Sequence, residues 1–183
     1  MKTYHLTAPL TKQDVAPLRA GDIVYLSGEI YTARDAAHER FRKTLEKGEK
    51  LPVDLTNETI FYAGPTPTKP GRAIGSIAPT TSMRIDGFVE MMFKQGMVAM
   101  IGKGDRHDYV AQLCGQYGGV YFLSIGGASA LISKDVKKCT VVAYDDLGTE
   151  SVKRLVVENL RLIVGYGPTG DDLFKQEIPK YAK

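Results

Sequence analysis

Residues 97–102 read Met97-Val98-Ala99-Met100-Ile101-Gly102, an apolar run without the alternation of a half-solvated strand. Such a run fits a strand covered on both faces, in the middle of a sheet flanked by helices. Lys103-Gly104-Asp105 follows it directly. The ends of strands in open α/β sheets are where site residues tend to stand, and Gly102 and Gly104 would let the backbone turn and bring the Lys103 ammonium to a ligand. The alternative is a tight turn with a solvated lysine. On the upstream side, Ile85, Phe88 and Met92 give Met83–Gln95 one apolar helical face, with the methionines as core filler. On the downstream side, periodicity predicts a helix over Asp108–Tyr117, a strand over Val120–Ile125, and a short helix opening at Gly126-Gly127-Ala128-Ser129-Ala130. That Gly-Gly turn lacks the third glycine and the acidic partner of a dinucleotide fingerprint, so it reads as close strand–helix packing.

Further out, residues 1–20 read as an edge strand and a connection, Ile23–Gly28 as a buried strand, Thr32 to about Gly48 as a helix, and Thr59–Ala63 as a short strand. Beyond the centre come a strand at Lys138–Tyr144, a strand pair at Val152–Glu158 and Leu160–Gly165, and a terminal helix over Asp171–Ala182. Strands and helices alternate through the middle and strand pairs stand at the ends, which argues an α/β fold with a mixed sheet and flanking helices. The 183 residues suit one domain over 1–183, without internal repeats or a dividing linker.

Hydrophobic content of 43% and charged content of 25% are ordinary for a globular protein, and no apolar run approaches the length of a membrane span. The N-terminal stretch has no apolar core of signal-peptide length, so the cytoplasm is expected. A net charge of +3 arises from 24 basic residues scattered among 21 acidic ones. Without a basic stripe, small anions are better targets than nucleic acid. Cys114 and Cys139 are the two cysteines, and they lack zinc, redox or iron–sulfur spacing. Both read as buried, unreactive thiols.

Residues 62–87, YAGPTPTKPGRAIGSIAPTTSMRIDG, hold four prolines and four glycines, with Ile74, Ile77, Met83 and Ile85 as apolar anchors. A long anchored loop of this kind reads as functional rather than as a linker. Thr80-Thr81-Ser82 precedes the Met83–Gln95 helix, whose N-terminus would offer backbone N–H groups to an anion. Arg84 in the first turn works against the helix dipole, which makes sense if it holds an anionic ligand; the alternative is a plain cap with a solvated arginine. Arg34 and His38, four apart near a helix start, would share one face, and a neutral histidine is favoured beside the guanidinium. A surface Arg–His pair is the alternative there. Two arginines, a lysine and hydroxyl donors suit a small dicarboxylate. No metal-ligand cluster, nucleophile elbow or complete triad accompanies them, so the inventory fits half of an active site.

Thr32-Ala33-Arg34-Asp35-Ala36-Ala37-His38, Tyr62-Ala63-Gly64-Pro65, Gly75-Ser76-Ile77-Ala78-Pro79-Thr80-Thr81-Ser82-Met83-Arg84 and Gly102-Lys103-Gly104-Asp105, in that order, resemble the beta subunits of class I fumarate hydratases and tartrate dehydratases. The resemblance covers nearly the whole chain. It implies a swivelling β/β/α domain and a hetero-oligomer with an alpha subunit, whose four-iron–four-sulfur (4Fe-4S) cluster has an open iron that binds the hydroxy-dicarboxylate. It further implies that Arg34, Arg84 and Lys103, with Thr81 beside them, clamp substrate carboxylates, and that Thr80 or His38 handles a proton. A bare threonine hydroxyl is a poor base and needs a polarised site, whereas imidazole titrates near neutrality. The expected reaction is reversible hydration of fumarate to malate, inactive without the alpha subunit. The alternatives are dehydration of tartrate or another hydroxy-dicarboxylate, and a non-catalytic anion-binding module.

Overall fold

The structure is a computed structural model and describes residues 1–182. Among the described residues seven strands are present: β1 (Thr3–Ala8), β2 (Ile23–Thr32), β3 (Thr59–Phe61), β4 (Ala99–Gly102), β5 (Val120–Leu123), β6 (Val136–Ala143) and β7 (Val152–Tyr166). Six helices accompany them: α1 (Lys12–Val15), α2 (Asp35–Glu46), α3 (Val89–Lys94), α4 (Asp108–Tyr117), α5 (Ser129–Asp135) and α6 (Leu173–Tyr181), with 3₁₀ turns at Ser82–Phe88 and Asp145–Glu150.

The sheet is mixed, as the alternation of elements predicts. Strands β1 to β5 run parallel in the order β1-β2-β3-β4-β5, and β7 runs antiparallel to β5, to β6 and to β2. The β2–β7 pairing closes β2, β3, β4, β5 and β7 into a circuit, with β1 and β6 as lateral additions. Side chains on adjacent strand positions therefore divide between two cores. Leu26 and Ile30 of β2, Ala99 and Ile101 of β4, Phe122 of β5 and Leu155, Leu162 and Val164 of β7 form one cluster. Met100 and Tyr121 point the other way and meet α2, α3 and α4 through Phe41, Met92 and Cys114. Helices α2, α3 and α4 pack on the second cluster, outside the circuit, whereas Val15 of α1 and Ile132 of α5 join the first cluster, which fills its interior.

Several elements differ from their sequence reading for local reasons. Val152–Glu158 and Leu160–Gly165 are one fifteen-residue strand and not a hairpin. Asn159, at φ 54°, takes the left-handed backbone that asparagine tolerates, so the chain continues through an irregularity rather than reversing. Strand β2 likewise runs past Gly28 to Thr32, with a register shift at Leu26/Gly28. Gly28 sits at φ 104°, and any Cβ there would overlap the Ala8 carbonyl oxygen. Thr32 consequently ends the strand, and Arg34 takes the N-cap position of α2. The Met83–Gln95 helix is a seven-residue 3₁₀ turn followed by the six residues of α3. In the Pro/Gly loop, Ile74, Ile77 and Ile85 are buried as expected, whereas Met83 is exposed. Cys114 is buried and its thiol is pushed up to about 12 by desolvation; Cys139 is half-buried on β6 and raised for the same reason. Among the described residues, no helix is long and apolar enough to cross a membrane.

Candidate active site

Because β2, β3, β4 and β5 are parallel, their C-terminal ends lie along one edge. Arg34 follows β2, Tyr62-Ala63-Gly64 follows β3, Lys103 follows β4 and Ser124 follows β5. The Pro/Gly loop leaves this edge and returns to it. Ala63 forms a bridge with Pro79, and the Thr80 amide donates to the Tyr62 carbonyl at 2.8 Å. Within the loop, Thr66 and Ser76 exchange two hydrogen bonds, Thr66 N–H to the Ser76 carbonyl at 2.9 Å and Ser76 N–H to Thr66 Oγ1 at 3.0 Å. The return sets Thr80, Thr81 and Arg84 beside the end of β4, where Ser82 Oγ accepts from the Lys103 amide at 2.8 Å. A side chain at Gly102 would occupy the Ser82 hydroxyl's place, so glycine there permits this junction.

The three cations occupy different electrostatic settings. Arg84 and Lys103 are exposed, and neither has a carboxylate within ion-pair distance among the described residues. Arg34 is partly buried and pairs with Glu150 at 3.2 Å, while its Nε is buried without a partner. The other Glu150 oxygen accepts the Ala36 amide at 3.0 Å, so one carboxylate caps α2 and holds the arginine in front of it. Gly64 allows this crowding: a Cβ on it would stand 2.7 Å from the Thr149 carbonyl oxygen and 3.1 Å from Arg34 Cδ. A cavity of about 540 Å³ opens on the same edge. Thr81, Ser82 and Lys103 form part of its wall, and Leu123, Ile125, Ile163 and Phe174 make an apolar side. Arg34, His38, Thr80 and Arg84 do not line it.

His38 departs most from its sequence reading. It lies on the first turn of α2, yet its side chain turns away from the partly buried Arg34 guanidinium into a cage of Phe41, Tyr62 and Phe88, and it has no exposed surface. Its backbone amide and its Nδ1 both reach the Arg34 carbonyl, at 3.0 and 2.8 Å. Desolvation lowers its pKa to about 4, so the ring is neutral near pH 7, with Nδ1–H donating and Nε2 a buried acceptor without a partner. The expected shared Arg–His face therefore does not form. Thr80–Ser82 likewise do not open the α-helix expected of them: a short 3₁₀ turn aligns few peptide dipoles, and Thr81 makes no side-chain cap.

Sequence reasoning missed Glu150, Asp86 and Arg106. Asp86 and Arg106 form a buried ion pair at 2.6 Å beneath the Lys103 loop, and both stand in motifs quoted above or directly after one. The pairing of an Asp with an Arg twenty positions later carries no local signal. As for a metal, no group of three or more His, Cys, Asp or Glu is placed to hold one among the described residues. The two thiols belong to opposite core clusters and burial disfavours both thiolates, so these residues do not fit an iron–sulfur cluster.

The fold and this edge together define a mixed α/β domain that presents cations and hydroxyls at the ends of its parallel strands. The chain belongs to the family described as the fumarase C-terminus, whose model matches residues 1–177. It is 34% identical to fumarate hydratase 2 of Leishmania major over 94% of this chain, but that alignment covers 31% of the relative, so the chain spans about a third of that enzyme's length. It is 40% identical to a putative L(+)-tartrate dehydratase subunit beta of Methanocaldococcus jannaschii, over 91% of this chain and 89% of that one. It is 32% identical to the L(+)-tartrate dehydratase subunit beta of Escherichia coli, over 97% of this chain and 90% of that one.

Proposed function

We propose that the chain is the beta subunit of a hydro-lyase for a four-carbon dicarboxylate, catalysing reversible hydration of fumarate to malate at an interface with an alpha subunit. The observation that carries this reading is the pair of exposed cations without carboxylate partners, Arg84 and Lys103, on two segments joined by the Lys103–Ser82 hydrogen bond. Two cations held at a fixed spacing recognise two carboxylates better than one mobile charge does. In the hydration, the hydroxyl of water forms a C–O bond to one olefinic carbon and a proton adds to the other. The chain's own part is to hold both carboxylates, with Thr81 beside Lys103, and to keep a hydroxyl at Thr80 within reach of the moving proton. His38 is the less suitable proton carrier, because it is fully buried and neutral; its two bonds to the Arg34 carbonyl support a role in fixing the arginine's backbone.

Since the residues here do not fit a 4Fe-4S cluster, we assign that group, which the resemblance implies, to the alpha subunit. In the same proposal, residues 1–183 form one swivelling β/β/α domain. A second reading is favoured by a separate observation: two relatives matched along about nine tenths of their own length are a putative and an assigned tartrate dehydratase beta subunit. The test is anaerobic turnover of fumarate, mesaconate and tartrate by this chain, by the alpha subunit with reconstituted cluster, and by the mixture. Activity confined to the mixture with fumarate preferred is the expected result. Preference for tartrate moves the assignment to the second reading, and full activity of the alpha subunit alone overturns both.

A further inference from the structure

The loop from Lys103 to His107 is fastened at every residue. The Lys103 amide donates to Ser82 Oγ at 2.8 Å, and the Gly104 carbonyl accepts from Tyr121 Oη at 3.1 Å. Tyr166 Oη donates to Asp105 Oδ1 at 2.6 Å and accepts from the Arg106 amide at 2.9 Å. The Arg106 guanidinium is buried, with Nε donating to Asp86 Oδ1 at 2.6 Å and its carbon 5.0 and 5.2 Å from the ring centroids of Tyr121 and Tyr62. Asp86 Oδ2 takes both the His107 amide, at 3.0 Å, and His107 Nδ1, at 2.8 Å. The two anchors on the facing side, Ser82 and Asp86, stand two positions before and two positions after Arg84 in the same 3₁₀ turn.

We infer that Ser82 and the buried Asp86–Arg106 pair are positioning residues that set the spacing of Arg84 and Lys103. A buried ion pair contributes little net stability compared with apolar side chains of the same volume, so the presence of this one is better explained by geometry than by stability. The inference rests on reading Arg84 and Lys103 as ligands of the substrate carboxylates. A clamp for two carboxylates needs its cations at a set separation, and here Arg84 sits in a short 3₁₀ turn and Lys103 in a loop, neither of which is rigid by itself. Cross-bracing through Ser82 and Asp86 supplies that rigidity from below, where water does not compete.

The variants are Ser82→Ala, which removes one brace without exposing a charge, and the double variant Asp86→Asn/Arg106→Met, which removes both charges so that neither is left unpaired. The first readout is amide hydrogen exchange of the full chain. Exchange at Lys103, whose amide donates to Ser82 Oγ, is expected to speed up about tenfold or more in Ser82→Ala while the melting temperature stays near that of the parent. Unchanged exchange there overturns the brace, whatever the enzyme's substrate. The second readout is a double-mutant cycle on kcat/KM in the complex with the cluster-bearing subunit. Ser82→Ala is expected to cost about tenfold in the parent background, mostly in KM, and less than about twofold once Lys103→Ala is present. Equal losses in both backgrounds overturn the inference. If Lys103→Ala leaves kcat/KM intact, the functional reading falls instead, and the exchange result stands by itself. Recovery of full activity in a folded Asp86→Asn/Arg106→Met variant also overturns the positioning role.

Discussion

Arg84 and Lys103 are costly places to put charge without a partner only if the site is closed; on an open edge they are solvated and the fold does not depend on them. Replacing either with alanine should therefore leave stability within about 0.5 kcal/mol of the parent. If the proposed function holds, the same replacements should lower kcat/KM of the assembled enzyme by about a hundredfold, because each would remove a charge-assisted contact to a carboxylate. Melting curves and steady-state kinetics on the same preparations check the two halves of that expectation. His38 behaves in the opposite way, as a stability residue with a pH signature. Its folded pKa lies near 4 against 6.5 when unfolded, so below pH 6.5 the unfolded chain binds the extra proton and stability falls until about pH 4. The effect amounts to about 3 kcal/mol at full development. Glu58, raised to about 7 mainly by desolvation, acts in the reverse sense by losing stability as pH rises from 4.5 to 7, so the absolute curve mixes the two. The difference between parent and His38→Gln isolates the histidine: urea titrations from pH 4 to 7 should show the parent losing more on acidification than the variant.

Among the elements, the irregular positions carry the sharpest expectations. At Gly28, alanine meets both a positive φ and the Ala8 backbone, so Gly28→Ala should cost about 2–4 kcal/mol, measured by denaturant unfolding. The element scale is also where sequence reading succeeded and failed for definable reasons. The apolar run at Met97–Gly102 and the periodic segments at Asp108–Tyr117 and Val120–Ile125 were legible because burial on both faces, or on one helical face, writes itself into neighbouring residues. The single strand β7 was not, because Asn159 looks like a turn residue whether the chain reverses or bulges, and only the partner strands decide. At the site, Arg34, Thr80, Thr81, Arg84 and Lys103 stood in legible motifs and the structure gathers them at one sheet edge. His38 was misplaced, because helical spacing gives the angle of a side chain but not whether solvent or Phe41, Tyr62 and Phe88 lie in that direction. Glu150, Asp86 and Arg106 were invisible, since ion pairs between distant segments leave no periodicity.

For the whole molecule, the two thiols offer a simple check on folding. Cys114 lies on the buried face of α4 with its thiol pushed up to about 12, so a thiol reagent at pH 7.5 should modify Cys139 first and Cys114 only at the rate of global opening. Comparable modification of both in native buffer would contradict the packing of α4. The circuit of β2, β3, β4, β5 and β7 has a mechanical consequence. A flat sheet can open its strand tips like a fan, but a hoop cannot widen at one rim without breaking a ladder somewhere around its girth. The cations at that rim are thus carried by something closer to a signet ring than to a pair of fingers: on the proposed reading they would meet a ligand by being brought to it, stamped as a set, with strands beneath them that do not flex to let it in.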